Sequence, residues 1–210
     1  MPQLIAMVIV VVGAMIYMFQ TFGGTGDKIE GIAQKTSIMT EINNIKNGLQ
    51  LAVRSGELKA SDGDTSGAVK TLEGLAELEY FADQINNELQ SDNDATLDTK
   101  NTYQAISFGS GSNLEITLVT PAKTAITNAR PGLFIDLTKG NLKSNAGFLE
   151  KQLATDLKAL ASIDSKTKLS TKVAVLNEDG TIKTAGATDG TDTDGTFTLY
   201  FKDIPANIQK

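Results

Sequence analysis

Apolar and polar positions alternate differently in successive parts of the chain. Residues 4–19 read LIAMVIVVVGAMIYMF, apolar on every side, and no charged residue precedes Asp27. A helix needs about 20 mostly apolar residues to span a bilayer core. A helix on a water-soluble domain would carry a polar stripe, so this run is expected in lipid or inside a bundle of other chains. From Ile29 the pattern becomes amphipathic. Ile29, Ile32, Ile38, Ile42, Ile45, Leu49 and Val53 step mostly by three or four, and Glu30, Gln34, Lys35, Glu41, Asn44, Lys46 and Gln50 fill the polar positions. Gly56, after Arg54 and Ser55, is placed to end the helix. The spacing predicts one helix from near residue 1 to about residue 55, roughly 80 Å at 1.5 Å per residue. Such a rod is too long for one small domain to bury. The chain therefore divides into an apolar helical segment, 1–27, and a head domain, 28–210, that includes the amphipathic half of the helix.

The head alternates between two periods. Val69, Leu72, Leu75, Leu78, Phe81, Ile85 and Leu89 share one face of a second helix expected over 68–90. From Tyr103 the period becomes two, and strands are expected over 103–108, 114–119 and 133–137. Phe148, Leu149, Leu153, Leu157, Leu160 and Ile163 mark a third helix over 146–163; strands follow at 172–176 and 196–201, with a turn at 178–180. The fold class is α+β: the long helix packs on an antiparallel-leaning sheet, with two further helices.

Between the two halves lie Gly23, Gly24, Gly26 and Gly31. Each glycine weakens a helix by about 1 kcal/mol relative to alanine. The cluster reads either as a membrane-exit loop or as a weak point where the helix can melt. The apolar run has no basic stretch ahead of it, which makes insertion awkward without upstream positive charge. Met1 is thus either an initiator ahead of an uncleaved anchor or, as the reading preferred here, a mature terminus left when a short basic leader is removed.

Composition narrows the chemistry. With no His and no Cys, zinc sites of the Cys/His type, thiol chemistry, His-based triads and disulfides are all excluded. A formal net charge of −6, with no basic cluster, argues against binding of nucleic acid. Asp189, Asp192 and Asp194 resemble a calcium loop, but placing Asp192 and Asp194 at loop positions 3 and 5 puts Gly190 first and Phe201 where the bidentate Glu belongs. A solvated loop is expected there, and 61–67 gives a weaker version of the same pattern. Glu73, Glu77, Glu79 and Glu88 are expected on the solvated side of the second helix, and Gly109 and Gly111 in a hairpin turn. No spacing of Ser, Asp and Lys assembles a catalytic site. An enzyme is not expected, nor a cofactor or metal.

An apolar half-helix, an amphipathic half-helix and an α+β head together resemble a type IV pilin. LFIDLTKGNLKSNAGFLEKQLATDLKAL looks like the strand–loop–helix segment of the type IVb group, the bundle-forming, toxin-coregulated and conjugative thin pili, and KVAVLNEDGTI looks like the strand and turn after it. The resemblance implies the major structural subunit of an extracellular fimbrium, a helical filament of identical copies acting in cell adhesion and related surface functions. It implies residence in the inner membrane before assembly, processing by a prepilin peptidase, an assembly machinery, and N-methylation at Met1. Leu4, Ile5, Val8, Ile9, Val12, Gly13, Met15, Ile16 and Phe19 would pack the filament core, with Gly23, Gly24 and Gly26 as the weak point. Two positions depart from the family pattern. Ile5 stands where a Glu is usual, so registration through that Glu is not carried over. The C-terminal disulfide is absent, which leaves the head to packing alone. A membrane-anchored extracytoplasmic binding protein and a secretion-system pseudopilin are the alternative readings.

Overall fold

The three-and-four spacing of isoleucines forms a helix in the computed structural model: α1 covers residues 31–55. The structure describes residues 31–58, 69–91, 100–108, 113–120, 130–165 and 194–205. Two units are distinguished, Met1–Thr36 and Ser37–Lys210. The described part of the first, residues 31–36, is helical, and the Thr36 hydroxyl donates to the Ile32 carbonyl at 3.1 Å. In the second, Ile38, Ile42, Ile45 and Leu49 are completely buried. At about 1.5–3 kcal/mol for each such side chain, the four contribute on the order of 6–12 kcal/mol before entropy, comparable with the net stability of a whole domain. Ile32, expected on the same stripe, belongs to the first unit and is 60% exposed. The helix ends as its sequence suggests. Gly56 takes φ +79, its N–H bonds to the Val53 carbonyl, and the Glu57 N–H reaches back to Ala52. This pair of bonds satisfies carbonyls that the last turn leaves open.

The second helix is not continuous over 68–90. It is broken into α2 (Leu72–Glu77) and α3 (Asp83–Leu89). Thr71 caps α2, its hydroxyl accepting from the Gly74 N–H at 3.2 Å. The break is at Glu79, the one described non-glycine residue with positive φ, +58. Its N–H bonds to Ala76 and the Tyr80 N–H bonds to Leu75, the same reverse turn that ends α1. The turn brings Phe81 onto α1 at Gly48. A Cβ on Gly48 would lie 2.6 Å from the Tyr80 carbonyl oxygen and 2.3 Å from the nearest carbon of the Phe81 ring.

Among the described residues five strands follow: β1 (Thr102–Gln104), β2 (Glu115–Val119), β3 (Gly132–Asp136), β4 (Ala161–Asp164) and β5 (Thr196–Phe201). Their order is β1-β2-β3-β5-β4, and every pairing is antiparallel. Since β3 and β4 both run against β5, they are parallel to each other, and α4 (Ala146–Leu157) makes the crossover between them. The register lines up Tyr103, Ile116, Ile135 and Phe197 in one row, with Leu118, Leu133, Leu199 and Ile163 in the next. Both rows join one core with the α1 stripe, Leu72, Leu75, Ile85, Leu89 and, from α4, Leu149, Leu153 and Leu157. The opposite face carries the row Thr102, Thr117, Phe134, Thr198 and Asp164, with the hydroxyls of Thr102 and Thr117 2.8 Å apart.

Two further expectations are corrected. The strand over 103–108 stops at Gln104 and continues as a 3-10 turn, Ile106–Phe108, because Asn113 ties the chain down by donating to the Phe108 carbonyl at 2.7 Å. The helix over 146–163 stops at Leu157, and Phe148, expected in the core, is exposed. Residues 161–164 form β4 instead. A helix there would leave the outer edge of β5 unpaired, and buried backbone groups need partners. The Lys202 N–H bonds to the Leu160 carbonyl at 3.0 Å, and its ammonium bonds to the carbonyls of Lys158 and Ala159, which end the helix. The expected strand at 172–176 and the turn at 178–180 lie outside the described residues.

Deleting residues 1–27 is expected to leave a soluble, folded monomer, checked by sedimentation and circular dichroism. Within that fragment, Gly48→Ala should gain about 1 kcal/mol of helix propensity but lose more to overpacking, for a net loss of about 1–2 kcal/mol in urea unfolding. Glu79→Gly should instead gain about 1 kcal/mol by relieving a left-handed residue that carries a Cβ.

Candidate functional site

The polar contacts of α1 fix it to the head at three heights. Glu41, expected on the solvated side, is buried. Its carboxylate accepts from the Tyr103 hydroxyl of β1 at 3.0 Å. Its position explains this: Glu41 follows Ile38 by three residues and precedes Ile45 by four, so it shares their face. One turn further on, Lys46 pairs with Asp203 at 2.6 Å, its ammonium 5.1 Å from the centroid of the Phe201 ring. Gln50 donates to the Asp203 carbonyl at 3.1 Å. At the carboxyl end Ser55 and Tyr80 share a hydrogen bond of 2.6 Å. From Glu41 to Ser55 the helix rises about 21 Å. This arrangement is a clamp and carries no nucleophile–base pair.

The acidic side of α2 and α3 is only partly solvated. Glu77 and Glu79 are exposed, but Glu73 is buried, its carboxylate accepting from the Lys100 N–H at 2.7 Å. Glu88 pairs with the Lys100 ammonium at 3.1 Å. The segment before β1 thus draws two of the four carboxylates inward. Between α2 and α3 a cleft of about 260 Å³ is lined by Ala76, Glu79, Asp83, Asn86, Asn87 and Gln90. Asn86 is only 7% exposed; its amide donates to the Phe81 carbonyl at 2.9 Å, while its Oδ1 accepts no hydrogen bond among the described residues. A cleft rich in carboxylate and amide oxygens suits an ammonium or guanidinium group. Sequence reasoning passed over Asn86, Tyr103 and Asp203, whose roles depend on partners distant in the chain.

The candidate calcium loop is represented by Asp194 alone. Its Oδ1 accepts from the backbone N–H of Thr196 at 2.9 Å and from its hydroxyl at 2.8 Å, a local turn at the start of β5. Asp189, Asp192, residues 61–67, Gly109 and Gly111 lie outside the described residues. Among the described residues no group of three or more carboxylates is placed to hold a metal ion. The expected processing site Met1, the expected core residues Leu4, Ile5, Val8, Ile9, Val12, Gly13, Met15, Ile16 and Phe19, and the expected weak point Gly23, Gly24 and Gly26 also lie outside them. Among the described residues no helix is long and apolar enough to cross a membrane. No family model, curated protein or solved structure matches the chain.

Two buried tyrosines make the head sensitive to alkali. Burial, and then the neighbouring Glu41 charge, push the Tyr103 hydroxyl well above its ordinary value, although a bond from the Ile106 N–H pulls the other way. Burial and the Asp164 charge do the same to Tyr200. The folded state holds these protons more tightly than the unfolded state does. The resulting stability is complete below pH 10.0, the ordinary tyrosine value, and is lost as the pH rises beyond it. Urea unfolding between pH 8 and pH 11.5 should show that decline. Tyr103→Phe should cost about 1–3 kcal/mol at pH 8 by leaving Glu41 without its donor, and should make the alkaline decline shallower. An unchanged decline would contradict the assignment.

Proposed function

We propose that this chain is the major structural subunit of an extracellular helical filament of the type IV pilus kind, most like the type IVb group. One observation carries the reading. The isoleucine face of α1 is satisfied by the head, while the sequence ahead of it is an apolar run that no polar stripe equips for water. A chain so divided needs lipid before assembly and neighbouring rods after it. Burial at about 25 cal/mol per Å² favours the rod bundle once the run leaves the membrane. Ile, Val and Met side chains, with Gly13 and Ala14 allowing close approach, suit such packing. A rod that meets different faces of its neighbours makes a heterologous contact, and contacts of that kind that do not close build helical fibres. The succession of β3, a 3-10 turn over Gly140–Asn145 and α4 supports the likeness to the pilin strand–loop–helix segment. N-methylated Met1, a prepilin peptidase, an assembly machinery, and an inner-membrane pool of unassembled subunit belong to the same reading.

Shearing native cells and sedimenting the released material tests it. The chain should dominate a filamentous fraction; recovery only as a monomer in the membrane fraction would contradict the proposal. The glycines offer a second test. The spacing of rods and the spacing of heads in a filament are set by different contacts. A melted residue spans up to about 3.3 Å instead of 1.5 Å, so melting about five residues lengthens a subunit by roughly 9 Å. Replacing both Gly23 and Gly24 by Ala should therefore lower filament yield or alter the axial rise. Filaments of unchanged yield and rise would show that no weak point is used.

A further inference from the structure

Among the described residues, exposed acids and exposed lysines lie on different helices of the head. The α2–α3 end lies against β1, one edge of the sheet, and α4 packs on β5 towards the other edge. At about 4.8 Å per strand the two ends are separated by roughly 15–20 Å. Residues 72–90 contain acids at Glu73, Glu77, Glu79, Asp83 and Glu88 and no base. Of these, Glu77, Glu79 and Asp83 are exposed, beside Leu78, which is 48% exposed. The other end turns two lysines outward on one face. Phe148, Lys151, Thr155 and Lys158 follow one another by three, four and three residues, so they form one exposed face of α4. Asp156 falls on the other flank by the 3.6-residue repeat. Phe148 is 48% exposed, an apolar centre among lysines as Leu78 is among carboxylates.

We infer that this basic face of α4 docks on the acidic α2–α3 end of a second copy of the chain, with a lysine ammonium entering the cleft. Two observations meet in that contact. The two surfaces are complementary in charge and each carries one large exposed apolar side chain. The cleft offers the Glu79 and Asp83 carboxylates. Because the surfaces lie at opposite ends of the sheet, each copy uses both. The contact is head-to-tail, and where its rotation does not close a ring it propagates. Pairing two acidic ends or two basic ends in a symmetric dimer is disfavoured by like charge. The inference rests on the filament reading for the local concentration of copies, and it names the partner surfaces that heads in such a filament would use.

The absence of native cysteine makes cross-linking a clean test. Asn87→Cys lines the cleft and Thr155→Cys lies on the basic face, and neither removes a charge. In the full-length chain carrying both, oxidation should give a reducible ladder of oligomers, whereas each variant alone should give no ladder. Glu79→Lys with Asp83→Lys in that background should reduce the ladder by about tenfold, and adding Lys151→Glu with Lys158→Glu should restore it. If sheared filaments form but give no ladder, or a ladder indifferent to both reversals, the docking is overturned and the filament reading stands. If no filaments form yet the detergent-solubilised chain gives the charge-dependent ladder, the docking stands and the filament reading falls. Efficient dimers from either single variant, or no ladder in filaments or in concentrated solubilised chain, overturn the docking.

Discussion

Burial of one face of α1 is the constraint on which the head depends. Ile38, Ile42, Ile45 and Leu49 enter the same core as the inner rows of the sheet. Their burial is worth about as much as the net stability of an ordinary domain. Everything around the helix is arranged to permit that burial. Gly48 has no side chain because Phe81 and the Tyr80 carbonyl occupy the space. Glu79 accepts a left-handed conformation so that Phe81 can arrive there. Glu41, placed on the buried face by helical geometry, is met by Tyr103 so that its carboxylate does not go inside without a donor.

The clamp gives the proposed filament its mechanical logic. A subunit whose rod packs among other rods must transmit load to its head. Here the load would pass through an apolar seam reinforced by the Glu41–Tyr103, Lys46–Asp203 and Ser55–Tyr80 contacts. With no disulfide in the head, these contacts and the core carry it. The sheet adds a direction. Among the described residues, its β1 edge is flanked by an acidic helical end and its β5–β4 side by a helix that turns Lys151 and Lys158 outward.

Much of this was legible in the sequence, for physical reasons that differ by element. The α1 stripe and its stop at Gly56 could be read because a 3.6-residue repeat and a left-handed glycine both leave local marks. β2, β3 and β5 appeared within a residue or so because alternation over five or six positions is a local signal. The break at Glu79 left no mark: the reverse turn normally announces itself with glycine, and here a glutamate takes it under the demand of Phe81. β4 was hidden because Leu157, Leu160 and Ile163 fit a helix as well as Ala161 and Ile163 fit a strand. The free edge of β5, about 35 residues later, decided between them. Glu41 and Glu73 looked like solvated residues because their partners, Tyr103 and Lys100, are distant in the chain. The residues proposed for the filament core were legible only as an unbroken apolar run.

The most direct test of the account is a density map of the sheared filament at a resolution that traces the main chain. The account predicts residues 4–19 at the filament axis, surrounded by the same segment of neighbouring copies, with residues 38–53 of each chain still packed on their own head and Glu41 facing Tyr103. A map that places the apolar run at the periphery, or that parts the isoleucine face of α1 from its own sheet, would contradict it.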